Sequence, residues 1–150
     1  MKLHRIVDRL SVRGRFYRYD FDQKKAFLDA HKVDTVVCLI RNYDYDIPRM
    51  VRYIHAPLAD NQFVTRPKGA AIVDSLGRVV AQDVERGRHV LVHCAAGRNR
   101  ACLVAGAALL WLGFDGVDAL RYIREGRPNA LGNVWFEEWL VSQKARHLTG

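Results

Sequence analysis

The run His93-Cys94-Ala95-Ala96-Gly97-Arg98-Asn99-Arg100 brings a thiol, a glycine and two guanidinium groups close together along the chain. Apolar His89–His93 precedes it, and apolar Ala101–Leu112 follows. A turn between a strand and a helix can aim successive backbone N–H groups at one anion, and the helix N-terminus adds a favourable field. Gly97 permits a backbone turn that a side chain would block. Cys94 stands at the mouth of this turn, where amides and Arg100 would favour a thiolate, the nucleophilic form. Arg100 can hold two anionic oxygens in a planar fork. These parts suit a nucleophile inside an oxyanion cradle. The competing reading is a buried Cys94 at a strand end with Arg100 paired locally. That reading crowds Arg98 and Arg100 into a small turn without an anion.

Such chemistry needs an acid for the departing oxygen. Asp60, in His55-Ala56-Pro57-Leu58-Ala59-Asp60-Asn61, follows a strand candidate and falls in a loop. If that strand runs parallel to His89–His93, its loop emerges beside Cys94, at the sheet edge where α/β folds place ligands. Asp60 is therefore the candidate acid, with a turn or capping carboxylate as its plainer role. Asp44 and Asp46, on the preceding loop, are the alternatives, and Asp74 is expected on the solvent face of a helix.

The elements that must position these residues read as follows. Leu10-Ser11-Val12 with Gly14 suggests a short edge strand and turn. Phe21–Ala30 reads as a helix capped near Asp20 or Asp22. Val33–Ile40 is rich in branched side chains and reads as a buried strand, with Met50–His55 as the next. Pro67 can open a helix running to about Glu85, with Gly87 as its stop. His89–His93 is a short central strand, and Ala101–Leu112 a helix apolar all round that must be covered. Val117–Arg124 and Leu131 to about His147 complete the helices, the last capped by Asn129 or Asn133. Strands separated by helices imply an α/β fold: a central, mostly parallel sheet flanked by helices. Residues 1–150 read as one domain, with no internal repeat or linker.

The segment resembles the signature of the cysteine-dependent protein-tyrosine and dual-specificity phosphatase superfamily: His-Cys, five residues, Arg. A cysteine and an arginine at this spacing arise by chance in roughly one chain in ten of this size; adding His93 and Gly97 makes chance on the order of one in several thousand. Arg127-Pro128 with Ala130, Trp135, Trp139 and Leu140 resembles the family's arginine-proline turn and final helix. The resemblance implies Cys94 as nucleophile, residues Cys94, Ala95, Ala96, Gly97, Arg98, Asn99 and Arg100 as the phosphate-binding loop, and Asp60 as the acid. It implies His93 as a residue that orders the loop and Arg127 as a support for it. The family usually has serine or threonine after the arginine, where this chain has Ala101. That hydroxyl helps thiolate departure from the phosphocysteine, so hydrolysis of the intermediate is expected to slow. Phosphoinositide phosphatases of the superfamily have a cysteine placed like Cys38 that forms a reversible disulfide with the nucleophile. Cys38 is therefore a candidate redox partner, with a buried inert thiol as the plainer reading. Cys102 is expected in the core.

Lys and Arg number 24 against 16 Asp and Glu, a formal charge of +8 that favours anionic partners without choosing among them. The six histidines are dispersed and no paired-cysteine spacing occurs, so neither metal nor organic cofactor is expected. Three cysteines, no secretory leader and no long apolar run point to an intracellular, cytoplasmic protein without integral membrane association. The expected function is a compact dual-specificity-like phosphoprotein phosphatase, acting first on phosphotyrosine and also on phosphoserine or phosphothreonine. Phosphoinositides, RNA 5′-triphosphate ends and a catalytically impaired phosphate-binding module are the alternatives. Tyr43, Tyr45, Phe63 and Trp135 are candidate rim residues, and Arg41, Arg66, Lys68 and Arg98 a candidate electropositive approach. Oligomeric state is open.

Overall fold

The computed structural model describes residues 2–41 and 46–148. Tyr43, Asp44 and Tyr45 lie outside the described residues. Strands β1 (His4–Val7), β2 (Leu10–Arg13), β3 (Thr35–Cys38), β4 (Arg52–His55) and β5 (Val90–His93) form one sheet in the order β1-β2-β5-β3-β4. All neighbours pair in parallel except β1 with β2. The central strands are covered on both faces, which is why they read as nearly continuous apolar runs. Helix α1 (Phe21–Ala30) covers one face, packing Leu28 with Phe16, Val36 and Leu91. Helices α2 (Pro67–Glu85), α3 (Arg100–Trp111), α4 (Gly116–Gly126) and α5 (Val134–Val141) cover the other.

Local chemistry sets the helix ends. Asp20 caps α1 by accepting from the Gln23 N–H at 2.8 Å, while Gln23 Oε1 accepts from the Asp20 N–H at 2.8 Å. Pro67 opens α2, as expected. Helix α2 then runs unbroken through Gly77, because the absent side chain lets Ala107 of α3 approach: a Cβ on Gly77 would lie 2.6 Å from the Ala107 Cβ. Helix α3 is buried through its length from Ala101 to Leu110, sandwiched between sheet and helices.

Three expectations are corrected. Leu10–Arg13 is not an edge strand, since β1 pairs antiparallel along it through a turn at Asp8-Arg9 and supplies the edge. The last helix is shorter than Leu131–His147. Leu131 is held left-handed at φ 61°, so the helix starts after the Asn133 cap. Beyond Ser142 the Gln143 carbonyl accepts from the Gly116 N–H, the Arg146 N–H donates to the Leu110 carbonyl, and Leu112 bridges to His147. Asp74 does not face open solvent but pairs with Arg146 Nε at 2.7 Å.

The parallel strands β2, β5, β3 and β4 end together at Arg13, His93, Cys38 and His55. The segments that leave them therefore emerge along one edge of the sheet. Among the described residues no helix is long and apolar enough to cross a membrane.

Candidate active site

The loop from Cys94 to Asn99 joins β5 to α3, and the orientation of its peptides is imposed from outside. The Ala95 carbonyl accepts from the Arg15 N–H at 3.1 Å. The Ala96 and Gly97 carbonyls accept from the Arg127 guanidinium at 3.4 and 3.2 Å. Gly97 O also faces the Cys102 thiol at 3.6 Å. The Arg98 carbonyl accepts from the Leu131 N–H at 3.0 Å, and the Asn99 carbonyl from the Leu103 N–H at 2.8 Å. Four successive carbonyls are thus engaged by other parts of the chain, and the fifth by the first turn of α3. The Gly97 and Ala101 N–H groups instead point at the Cys94 sulfur, at 3.2 and 3.4 Å. The N–H groups of Ala95, Ala96, Arg98 and Asn99 meet no acceptor among the described residues.

Gly97 makes this turn possible. Its φ is 67°, and a Cβ there would stand 2.5 Å from the Arg13 carbonyl carbon, against the Arg13-Gly14 peptide. That peptide stays in place because buried Arg13 folds back on it, donating to the Gly14 and Arg15 carbonyls at 3.0 and 3.3 Å. The rings of Phe16 and Phe27 flank the Arg13 guanidinium at 4.2 and 4.5 Å.

Cys94 is buried, 2% exposed, at the centre of this ring of donors. Arg100 opens α3; its Nη1 donates to the Leu58 carbonyl at 3.2 Å, and its buried Nε has no acceptor among the described residues. Leu58 belongs to the loop after β4, and two residues further Asp60 accepts from Asn99 Nδ2 at 3.0 Å. Parallel pairing of β3 with β4 and β5 delivers that loop to the Cys94 loop. His93 is fully buried, its ring edge-on to Phe16 at 5.6 Å, and burial pushes its pKa down to about 4. It is neutral at physiological pH, so its ring adds no positive charge beside Cys94.

Proteins of known kind share this fold. The model of the dual specificity phosphatase catalytic domain matches residues 16–146. The chain belongs to that family. Protein tyrosine phosphatase type IVA 3 of Homo sapiens is 33% identical over 84 residues, 53% of this chain and 49% of that protein. Protein tyrosine phosphatase PRL-1 of Trypanosoma cruzi is 30% identical over 87 residues, 56% of this chain and 49% of that protein. The chain thus spans about half the length of the curated relatives it matches. Crystalline Tk-PTP in the active form has a TM-score of 0.73 at 23% identity, over 93% of this chain and 94% of its own. Human DUSP28 gives 0.75 at 21% identity, over 93% and 90%. At such identities the structural likeness establishes the shared fold.

Within this phosphatase fold, the other expected residues can be placed. Cys38 lies opposite His93 in the strand register, fully buried, with its thiol directed at the Ile40 carbonyl at 3.8 Å. Burial pushes its pKa up, and it does the same for Cys102, to about 12. Cys102 is in the core, as expected, though its thiol also faces the Gly97 carbonyl of the Cys94 loop. Arg98 turns along the outside of the loop: its Nε donates to the Asn129 carbonyl at 2.7 Å. Gly132 leaves room for this guanidinium, since a Cβ there would lie 2.3 Å from it. Phe63 packs edge-on against Phe136 at 5.7 Å, whereas Trp135 is 43% exposed. Arg41, Arg66 and Lys68 are exposed. His55, at the start of the loop that carries Asp60, meets the Ile40 carbonyl.

Three contributors escaped the sequence reading. The Gly14-Arg15 buttress had only Gly14 as a signal. The Leu58 carbonyl had none. Asn133 was legible as a helix cap, but not as a neighbour of Asp60.

Proposed function

We propose that the chain is a phosphoric monoester hydrolase: a dual-specificity-like phosphoprotein phosphatase taking phosphotyrosine and also phosphoserine or phosphothreonine. Residues 1–150 act as a single catalytic domain. The observation that carries this reading is the polarity of the loop. Its carbonyls are engaged elsewhere, its Gly97 N–H and the Ala101 N–H point at the Cys94 sulfur, and the remaining loop amides and Arg100 Nε meet no acceptor among the described residues. A phosphoryl group, with several anionic oxygens on one centre, matches that set of donors.

In the first step the Cys94 thiolate attacks phosphorus. The S–P bond forms as the bond from phosphorus to the leaving oxygen breaks, and Asp60 gives that oxygen a proton. In the second step Asp60 takes a proton from water as the water oxygen bonds to phosphorus. The S–P bond breaks, its electron pair returns to sulfur, and inorganic phosphate leaves. Arg100 holds the transferring group through both steps. His93 and Arg127 position the loop, and Cys38 stands as a redox partner for Cys94. Three unpaired thiols suit a reducing, intracellular compartment.

The outward engagement of Arg98 favours a phosphoprotein over a phosphoinositide, because this cation is committed to Asn129 rather than offered to a second phosphate. Ala101 favours one other reading, a module that stalls at phosphocysteine: its N–H reaches the sulfur, but it has no hydroxyl. One panel separates these readings. Phosphate release is measured for wild type and Cys94→Ser on phosphopeptides, phosphoinositides and triphosphate-ended RNA. Sustained release from phosphopeptides by wild type alone is expected. One equivalent of dephosphorylated product formed without any phosphate release selects the stalled module, and equal rates in both proteins remove Cys94 as nucleophile.

A further inference from the structure

Asp60 is held at both oxygens. Oδ2 accepts from Asn99 Nδ2 at 3.0 Å, and Oδ1 accepts from Asn133 Nδ2 at 2.8 Å. The Asn133 amide also donates to the Asn61 carbonyl at 3.0 Å, so it grips backbone and carboxylate together. Asn133 in turn is tied to Asn99, its N–H donating to Asn99 Oδ1 at 3.1 Å. Its own Oδ1 accepts from the Phe136 N–H at 3.2 Å, capping α5. Three side chains from three separate segments thereby close one ring: the phosphatase loop, the acid loop and the helix cap.

The ring fixes its own polarity. Asn133 must turn its oxygen to the Phe136 N–H, which leaves its NH2 for Asp60; Asn99 must turn its oxygen to the Asn133 N–H, which does the same. Capping alone does not call for asparagine, since serine, threonine and aspartate cap comparably. Of those four, only asparagine also has an amide to donate to a carboxylate. Arg100 adds a further tie by holding the Leu58 carbonyl at 3.2 Å.

We propose that Asn133, acting with Asn99, is a positioning residue for the acid: it seats Asp60 over the phosphatase loop before a phosphoester is bound. The inference rests on the phosphatase reading above. The acid then needs no loop closure to arrive, and α5 becomes part of its mounting.

Asn133→Ser separates the two duties of the residue, because serine still caps α5 but cannot reach across with an amide. With phenyl phosphate, whose leaving group needs a proton, kcat should fall about tenfold at little change in KM; with dinitrophenyl phosphate it should fall only about twofold. In an Asp60→Asn background the same substitution should cost nothing more, because the residue acts through the carboxyl. Asn133→Asp, which keeps the cap and sets a second carboxylate against Asp60, should show the same leaving-group dependence. Equal losses on both esters, a full further loss in the Asp60→Asn background, or no loss at all would overturn the proposal. If wild type and Cys94→Ser turn over both esters equally, the phosphatase reading itself fails. That outcome is distinct from any result with Asn133.

Discussion

The two ends of the sheet treat polar groups in opposite ways. At the amino end of the parallel strands, the buried Asp83 carboxylate accepts from Thr35 Oγ1 at 2.8 Å and from Arg52 and Arg88 at 2.7 and 3.1 Å. Beside it, Asp34 accepts from the His89 N–H at 2.8 Å. The His89 ring lies between the His31 carbonyl and the Ser11 hydroxyl, both at 2.9 Å. A carbonyl can only accept, so Nδ1 carries the proton and Nε2 accepts from Ser11; burial, which lowers the His89 pKa, agrees with this neutral ring. At the carboxyl end two N–H groups point at the Cys94 thiol, while four loop amides and Arg100 Nε meet no acceptor among the described residues. Donors matched internally stabilise a fold; donors aligned and left over are suited to an incoming anion.

Substitutions at the two ends should therefore fail differently. The largest effect is expected from Asp83→Ala, which strands Thr35 and two arginines. It should cost about 3 kcal/mol of unfolding free energy in denaturant titrations, the low end for a broken buried pair because both arginines reach water. Its turnover per folded molecule should match wild type. Gly97→Ala should do the reverse. A Cβ 2.5 Å from the Arg13 carbonyl carbon displaces the loop, and turnover of an aryl phosphate should fall on the order of a hundredfold with a smaller change in stability.

Acid tests the same contrast at the carboxyl end. Unfolded His93 takes its proton near 6.5 and folded His93 only near 4. Between those values the unfolded chain binds more protons, so this contribution is complete above pH 6.5 and is lost as pH falls towards 4. Denaturant midpoints should report about 2 kcal/mol less stability at pH 5 than at pH 8, and His93→Asn should flatten that dependence.

Arg127→Lys sharpens the comparison further. A single ammonium cannot span the Gly97 and Ala96 carbonyls as a guanidinium fork does. KM for an aryl phosphate should rise about tenfold while the melting temperature hardly moves. The smallest effect is expected from Ala101→Ser, which restores a hydroxyl beside the sulfur. Steady-state turnover should rise about threefold if phosphocysteine breakdown limits the rate, read against an unchanged burst. An unchanged steady state would show that Ala101 does not slow the second step.

Much of this molecule was legible before its fold. The limits of α1 and α2 follow from Asp20, Gln23 and Pro67, which act within one helical turn of themselves. The Cys94 loop announced itself because thiol, glycine and arginine must be close in sequence to share one turn. Strand β1 was missed because His4 and Arg5 give it the look of a solvated segment, and only pairing with β2 makes it a strand. The last helix was overextended because Leu131 is apolar and fits a helical stripe, yet tertiary packing holds it left-handed.

The sequence by itself determined the local pieces: which runs are buried, where the helices start, and which short turn could hold an anion beside a thiol. These depend on side-chain period, capping and turn chemistry, all of short range. The tertiary structure alone decided that Arg127 turns the loop carbonyls outward, that Gly14 and Arg15 brace it from behind, and that Asn133 meets Asp60. Such contacts join residues far apart along the chain, and they exist only once parallel strands end at a common edge.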